Sequence, residues 1–319
     1  MGSPHNNCPA PNAVIDVGTN TLRLLIGCVH NGKVIKVAAG RFVSRLGKDL
    51  LNTKMLSDES ISKSISSLHD FKALCEQYNV KETLAVGTSA LRDAKNSREF
   101  LESVREQTGL EIRVISGREE AELTLKGVTS EIQRIPSFIV DVGGGSTEWI
   151  LYKDRATYKT GSIQLGAVRI FEAFIKSDPP SLEEIKEAAL FIKEQVTRSL
   201  SEHKVSLSLE ITSLTELIAT GGTATTVASI ALGLDRYDST KVHMHTISYH
   251  ELRAIFEKLR ALPLSERAGI KGLEAGRVDI IVPGVLILLV LMEILKVDML
   301  GISDYGLLEG LLLDSFSCQ

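Results

Sequence analysis

The sequence predicts an α/β protein of two related domains, each a mixed β-sheet flanked by helices. The first observation is a repeat, in which residues 14–23 align without gaps on residues 139–148. The second is the order of the elements, because strands in succession that then alternate with helices are typical of such sheets. The third is the length, since 319 residues suit two domains, each with a core of its own.

The first third of the chain begins with strands and continues with alternating elements. Ser57 is suited to cap the first long helix, and Ser116-Gly117 precedes the last one. In order, we predict strands at 13–17, 22–29 and 33–43, a helix at 58–78, a strand at 83–88, a helix at 97–107, a strand at 111–115 and a helix that begins after residue 117.

The second copy starts at Pro136 and is richer in helices, with breaks at Asp178-Pro-Pro and Leu262-Pro-Leu. The apolar run from Ile280 to Met292 contains Pro283 and is too short to span a membrane, so we interpret it as a buried core helix. We predict helices at 166–176, 181–203, 223–232, 248–260 and 275–296, then a strand at 299–303 and a last helix at 305–315.

Each copy of the repeat ends an apolar strand on an Asp and then turns on glycine. Asp141 precedes Gly143, Gly144 and Gly145, and the aligned Asp16 precedes Gly18. Backbone N–H groups of such turns converge on an anion, and carboxylates such as those of Asp141 and Glu148 suit Mg²⁺ and its waters. A glycine hairpin without a ligand is the alternative. A third turn, at 219–225, precedes a helix and could contact an anion or nucleotide at the helix N-terminus.

Composition limits the remaining function classes. The net charge of −4 argues against broad nucleic-acid binding, although a local cluster of Arg and Lys can still hold a polyanion. Cys8, Cys28, Cys75 and Cys318 show no zinc spacing, so free thiols in a reducing compartment are expected. The N-terminus lacks the architecture of a signal peptide, and we expect a cytoplasmic protein.

The three turns together resemble those of the superfamily of sugar kinases, heat-shock chaperones and actin. More closely, the chain resembles the exopolyphosphatase / guanosine pentaphosphate phosphohydrolase family in its short, two-domain form. The matching segments follow the family's order along nearly the whole chain: Asp16–Arg23, Thr88–Ala94, Ile115–Ala121, Asp141–Glu148, Gly221–Thr223, Lys241–His243, Arg277–Gly284 and Ile302–Gly310.

The resemblance implies two ribonuclease H-like (actin-like) domains with a cleft between them and hinges near 120–135 and 298–304. Domain I would be 1–125 plus 303–319, with the last helix packed back on it, and domain II would be 126–302. The resemblance implies a hydrolase that uses Mg²⁺ or Mn²⁺ as cofactor. It would release the terminal phosphate of inorganic polyphosphate, the 5′ γ-phosphate of guanosine pentaphosphate, or both. The second substrate would link it to the stringent response, with guanosine tetraphosphate as a further ligand.

The resemblance also assigns roles to residues. Glu120 would activate water, with Arg92 and Glu148 also catalytic, and Asp141, Glu148 and Asp16 would place the metal. Gly221, Gly222 and Thr223 would contact a nucleotide. The phosphate-binding set would be Gly18, Thr19, Asn20, Thr21, Arg23, Gly143, Gly144, Gly145, Ser146, Thr147 and Arg277.

The residues leave several alternatives open. Glu119 is the next candidate for the base, because spacing does not choose between it and Glu120, and either could be a solvated glutamate in the first turn of a helix. Arg277 either contacts phosphate or pairs with Asp279. His243 and His245 are better explained as structural or substrate-facing residues than as metal ligands.

The chain differs from the family at two places, and two other functions remain open. Thr19 and Thr21 replace the usual serines and keep their hydroxyls, whereas Leu308 replaces an Arg and leaves the role of its turn open. A small-molecule kinase would instead need an Asp base aimed at an alcohol. A non-catalytic alarmone-binding module would have no need to orient water. The oligomeric state is also open, with a homodimer possible.

Overall fold

The structure is a computed structural model that describes residues 8, 10–132, 137–154, 157–205 and 216–316. It divides into two compact units: unit 1 is Met1–Ile132 with Tyr305–Gln319, and unit 2 is Gln133–Asp304. The boundaries predicted from the sequence fall after residues 125 and 302. Pro136, the predicted start of the second copy, lies outside the described residues.

Unit 1 contains a five-stranded sheet with helices on both faces. The strands are β1 (Asn12–Val17), β2 (Leu22–His30), β3 (Lys33–Phe42), β4 (Thr83–Gly87) and β5 (Ile112–Val114). The helices are α1 (Leu50–Thr53), α2 (Asp58–Gln77), α3 (Ser89–Asp93), α4 (Ser97–Thr108), α5 (Gly117–Thr129) and, from the end of the chain, α13 (Leu307–Phe316).

Unit 2 contains a six-stranded sheet and the remaining helices. Its strands are β6 (Ser137–Val142), β7 (Thr147–Asp154), β8 (Thr157–Ile163), β9 (Glu216–Thr220), β10 (Thr246–Ser248) and β11 (Met299–Ile302). Its helices are α6 (Ala167–Phe174), α7 (Leu182–Glu202), α8 (Gly221–Ala231), α9 (Ser239–Val242), α10 (Tyr249–Ala261), α11 (Leu264–Arg267) and α12 (Ile281–Leu295), with a 3₁₀ turn at Ala275–Arg277.

The two sheets share one topology. In unit 1 the strand order is β3-β2-β1-β4-β5, with β1 antiparallel to β2 and parallel to β4. In unit 2 the order is β10-β11-β9-β6-β7-β8, with β6 antiparallel to β7 and parallel to β9. The two strand orders are the same when each strand of unit 1 is matched to one of unit 2: β1 to β6, β2 to β7, β3 to β8, β4 to β9 and β5 to β11. Strand β10 is an additional edge strand of unit 2. The predicted fold class, two related mixed sheets flanked by helices, is confirmed.

The period-2 pattern of the central strand explains why each sheet is covered on both faces. In β1, Ala13 and Ile15 lie in a core with residues of α2 and α4, whereas Val14 lies in a second core with residues of α5 and α13. Both faces of the strand are therefore apolar, and polar side chains concentrate where the strand ends at Asp16.

The predicted helix at 275–296 is shorter than expected. The chain forms a 3₁₀ turn at Ala275–Arg277, and α12 begins only at Ile281, so that Pro283 falls in its first turn, where a missing N–H is tolerated. Among the described residues, no helix is long and apolar enough to cross a membrane. The short elements α1, α3, α9, α11 and β10 were not predicted as such, because elements of five residues or fewer give too little periodicity.

The expectation of free thiols is wrong for one pair. Cys8 and Cys28 form a disulfide that ties the segment before β1 to β2. Cys75 is a free, buried thiol, and burial raises its pKa. Cys318 lies outside the described residues.

Candidate active site

The first glycine loop joins β1 to β2 in unit 1. The N–H of Gly18 donates to the carbonyl of Thr21 at 3.2 Å, which closes the hairpin, and a Cβ at Gly18 would lie 2.9 Å from that same oxygen. Thr19, Asn20 and Thr21 are buried, so this loop is ordered by its own side chains. The carbonyls of Thr19 and Asn20 accept N–H donors from Gly47 and Arg45 at 2.8 and 3.0 Å.

Arg23 faces Asp16 across this hairpin. The two residues are register partners, and the Nε and Nη2 atoms of Arg23 donate to Oδ2 of Asp16 at 2.9 and 2.7 Å. Arg41 of β3 is the register partner of Arg23 on the other side. One row across the sheet of unit 1 therefore carries two guanidinium groups and one carboxylate, which suits the neutralisation of phosphate charge.

The structure distinguishes the two adjacent glutamates of α5. Glu120 is buried, and its Oε2 accepts a hydrogen bond from Nη1 of Arg92 at 2.7 Å, while the same nitrogen donates to the carbonyl of Ile115 at 3.0 Å. The side chain of Glu119 is 36% exposed and pairs with Arg113 at the surface. The alternative of a solvated glutamate therefore describes Glu119 and not Glu120.

The second glycine loop repeats the first in unit 2. The N–H of Gly143 donates to the carbonyl of Ser146 at 3.0 Å, in the place of the bond from Gly18 to Thr21. Asp141 and Glu148 are register partners, as Asp16 and Arg23 are, and Glu148 is in turn opposite Ser162, whose hydroxyl donates to Oε1 of Glu148 at 2.7 Å. The row of unit 2 therefore carries two buried carboxylates and a hydroxyl. The row of unit 1 carries one carboxylate and two arginines, so Glu148 takes the place of Arg23.

The third glycine turn packs directly on this carboxylate row. Gly221 has φ +82°, and a Cβ there would lie 2.2 Å from Oδ1 of Asp141. A Cβ at Gly222 would lie 1.7 Å from Nη2 of Arg277, so the guanidinium rests on the start of α8. The hydroxyl of Thr223 donates to the carbonyl of Val142 at 3.2 Å. Unit 2 thus brings Asp141, the third turn and Arg277 together.

Two buried arginines shape the segment before α12. Arg277 lies 3.5 Å from a carboxylate oxygen of Glu274, and the carboxylate of Asp279 accepts the N–H of Ile280. Arg267 is 1% exposed and donates to three carbonyls, those of Leu259, Leu262 and Val278. Burial lowers the pKa of Arg267, while the charges of Asp178 and Asp279 oppose that shift. Arg267 thereby holds the residue that follows Arg277 in the chain.

Sequence reasoning missed the contacts of α6 with the second glycine loop. The first N–H groups of α6 donate to the carbonyls of Gly143 and Gly144, and Nε of Arg169 donates to the carbonyl of Gly145 at 3.0 Å. Gly166 just before the helix was the available signal, because its Cβ would lie 2.3 Å from the carbonyl oxygen of Gly144. The sequence predicted the helix but not what it touches.

Several carboxylate oxygens of the two hairpins suit a divalent cation. Oδ1 of Asp16 is buried and has no hydrogen-bond partner, as expected of an oxygen left for a cation or its water. In unit 2, Asp141 and Glu148 offer two carboxylates of their own, and Mg²⁺ usually takes one or two together with waters and substrate phosphate. The described part of the chain holds no cluster of three or more His, Cys, Asp or Glu suited to a metal. Nδ1 of His243 accepts the N–H of Asp304, a structural contact.

The repeated sheet and repeated hairpin define the class of protein as one built from two related α/β domains. The Ppx/GppA phosphatase family matches residues 25–318, which is nearly the whole chain. The chain belongs to this family, and we conclude that it is a phosphatase.

Similar proteins support the same conclusion. Exopolyphosphatase 2 of Mycobacterium tuberculosis is 30% identical over 316 residues, covering 94% of this chain and 97% of the relative. The crystal structure of an exopolyphosphatase-like protein has a TM-score of 0.88 at 29% identity, covering 96% of this chain and 97% of that one. The Aquifex aeolicus member of the Ppx/GppA family has a TM-score of 0.78 at 31% identity, with the same coverage.

Proposed function

We propose that this protein is a Mg²⁺-dependent exopolyphosphatase that hydrolyses the terminal phosphoanhydride bond of inorganic polyphosphate. The oxygen of water attacks the terminal phosphorus, the bridging P–O bond breaks, and the products are orthophosphate and a chain one phosphate shorter. The observation that carries the proposal is the buried Glu120 carboxylate held by Arg92. The 5′ γ-phosphate of guanosine pentaphosphate is a second substrate with the same bond type.

The glycine hairpins support the binding of a phosphate chain. Each hairpin is closed by one backbone hydrogen bond, and the carbonyls at its tip are taken up by donors from another segment. Because N–H and C=O of a peptide unit point in opposite directions, the N–H groups of the tip are directed away from those donors. Arg23 adds a forked cation beside the first hairpin. Together these groups would hold the phosphates and neutralise their charge.

Glu120 is the group that would accept the proton of the attacking water. Its burial keeps the side chain in one place, and the guanidinium of Arg92 stabilises the ionised form that a base requires. Its position in the first turn of α5, after the Ser116 cap, adds the favourable end of the helix dipole. In this proposal Arg92 orients the base and Glu120 carries the proton from water.

Asp141 and Glu148 are the carboxylates of unit 2 that would hold Mg²⁺, and Asp16 is the corresponding carboxylate of unit 1. When bound, the ion would neutralise phosphate charge and polarise the phosphoryl oxygens. Ser162 fixes the orientation of Glu148, and Gly221 leaves space for Asp141. We propose the cytoplasm as the compartment.

One assay separates the proposed activity from the other functions. Phosphate release is measured from polyphosphate and from guanosine pentaphosphate, side by side, with and without Mg²⁺. Release from polyphosphate that requires Mg²⁺ supports the proposal. Formation of ADP from ATP only when an alcohol is present would indicate a kinase. Tight binding of guanosine tetraphosphate without release from either substrate would indicate an alarmone-binding module.

Glu120→Gln tests the base. The amide is close in size but cannot accept the proton, so we expect kcat for polyphosphate to fall by about 10²- to 10⁴-fold with little change in KM. Glu119→Gln is the matched control, because Glu119 is the adjacent residue and its side chain is partly exposed and pairs with Arg113. This variant should keep activity within about twofold of the wild type. Full activity in the Glu120→Gln protein would contradict the mechanism.

A further inference from the structure

Helix α6 begins against the second glycine loop and binds all three glycine carbonyls. The N–H of Ala167 donates to Gly143 and that of Val168 to Gly144, each at 2.9 Å. The N–H of Arg169 also donates to Gly144, at 3.2 Å, and its side-chain Nε donates to Gly145 at 3.0 Å. Arg169 is therefore bound to the loop through both backbone and side chain.

These bonds fix the direction of the loop's N–H groups. In a planar trans peptide the N–H of one residue points opposite to the C=O of the residue before it. Since the carbonyls of Gly143, Gly144 and Gly145 face α6, the N–H groups of Gly144, Gly145 and Ser146 face away from it. Three successive N–H groups on one side form a concave anion site. The carbonyl of Gly145, and with it the N–H of Ser146, is held by the guanidinium.

The two loops differ in how they are ordered, and this explains why the second needs a side-chain donor. The first loop has the buried side chains of Thr19, Asn20 and Thr21 to restrict it, and its carbonyls accept backbone donors from Arg45 and Gly47. The second has three successive glycines, which lose the most conformational freedom on ordering and have no side chain to restrict them.

We propose, on the basis of the proposed function, that Arg169 is a positioning residue for phosphate binding. Its guanidinium holds the Gly145–Ser146 peptide with the N–H of Ser146 directed toward the phosphate chain. The role is indirect: Arg169 acts on the substrate through the loop, and losing it weakens binding of the phosphate chain while the proton transfer at Glu120 in unit 1 continues. The signature is therefore a rise in KM without a matching fall in kcat.

Arg169→Gln and Arg169→Lys test this role with steady-state kinetics on polyphosphate. We expect Arg169→Gln to raise KM by on the order of 10-fold, with kcat within about threefold of the wild type, because a hydrogen bond from a charged donor is lost. Arg169→Lys keeps a cationic donor, so its KM should lie between those of the wild type and the Arg169→Gln protein. Arg198→Gln is the matched control, an exposed Arg on α7 whose contact is the side chain of Gln195. An unchanged KM in folded Arg169→Gln protein overturns the proposal.

A second readout separates this proposal from a loss of stability and from failure of the proposed function. Tripolyphosphate binding is measured by calorimetry in the full-length Glu120→Gln protein with and without Arg169→Lys or Arg169→Gln, alongside amide hydrogen exchange of residues 143–148. Weaker binding with faster exchange of that segment, at an unchanged Tm, supports the proposal even if the wild type proves inactive on polyphosphate. A lower Tm with unchanged tripolyphosphate affinity overturns it, and absence of tripolyphosphate binding by the Glu120→Gln parent overturns both proposals.

Discussion

Two glycines of this site are required because neighbouring side chains pack closely against them. Gly222 lets the guanidinium of Arg277 rest on the start of α8, and Gly221 leaves space for the carboxylate of Asp141. A methyl group at either position would occupy the volume of a side chain that the sequence assigns to the site. The glycines of the third turn are thus explained by their neighbours, beyond any preference of the turn itself.

Gly222→Ala is expected to displace Arg277. Its Cβ would lie 1.7 Å from Nη2 of Arg277, and because that side chain is buried the guanidinium cannot simply swing into solvent. We expect kcat/KM for polyphosphate to fall about 10- to 100-fold, as for loss of a charged contact, while the better helix propensity of Ala keeps Tm close to the wild type. The Gly222→Ala/Arg277→Met double variant should be no worse than Arg277→Met alone, and additive losses would show that the two residues act separately.

At the scale of elements, helix ends are fixed by local side chains that the sequence already shows. In α7 the hydroxyl of Ser181 accepts the N–H of Glu184, while Glu184 accepts the N–H of Ser181, and this forms a capping box. Glu184 also accepts the N–H groups of Lys176 and Ser177 at 2.9 Å and the hydroxyl of Ser177. One carboxylate thereby joins the end of α6 to the start of α7.

Stability should depend on pH through Glu184. The hydroxyl of Ser177 is the largest cause of a pKa lowered from 4.5 to about 2, with burial opposing and backbone donors assisting. Because the folded pKa lies below the unfolded one, the contribution is complete above pH 4.5 and is lost as the pH falls toward about 2. Glu184→Ala should lower the free energy of unfolding by about 1 kcal/mol at pH 7. In urea unfolding this difference should shrink by pH 3, whereas Leu190→Ala, at an exposed and non-titrating position of the same helix, should show no such trend.

At the scale of the whole chain, the last helix completes the first unit. Helix α13 lies in the same core as Val14, Val86 and Leu123, although all three lie far before it in the sequence. Leu308 is part of this core, so the role of its turn, which the sequence left open, includes packing. Glu309 accepts the N–H of Gly306 and pairs with Lys36 at 2.7 Å. Unit 1 therefore cannot form its full core until the end of the chain is available.

Gly310→Ala is expected to disrupt this packing. Helices α5 and α13 meet at Gly127 and Gly310, and a Cβ at Gly310 would lie 1.8 Å from the carbonyl oxygen of Leu123, which belongs to a rigid helix. We expect a loss of about 3 kcal/mol in the free energy of unfolding, at the upper end for overpacking, measured by urea unfolding. Gly269→Ala is the control, because a Cβ at Gly269 would lie 3.4 Å from the nearest heavy atom, the carbonyl oxygen of Glu266. Equal stability of the two variants would mean that α5 and α13 can separate at small cost.

Much of this protein follows from the sequence alone. The alternation of apolar residues and the turn glycines predicted the strands of unit 1, the long helices and the two equivalent hairpins, because these depend on neighbours a few positions away. The family was indicated by the resemblance of motifs that follow one another in order along the chain. The elements that were missed, such as α3 and β10, are too short to carry a period. Tertiary structure decided the rest, since it depends on contacts between distant segments: burial separated Glu120 from Glu119, α6 placed Arg169 on the second loop, and Arg277 came to rest on Gly222. Local sequence specifies which backbone shapes are available, and only packing specifies which side chains meet.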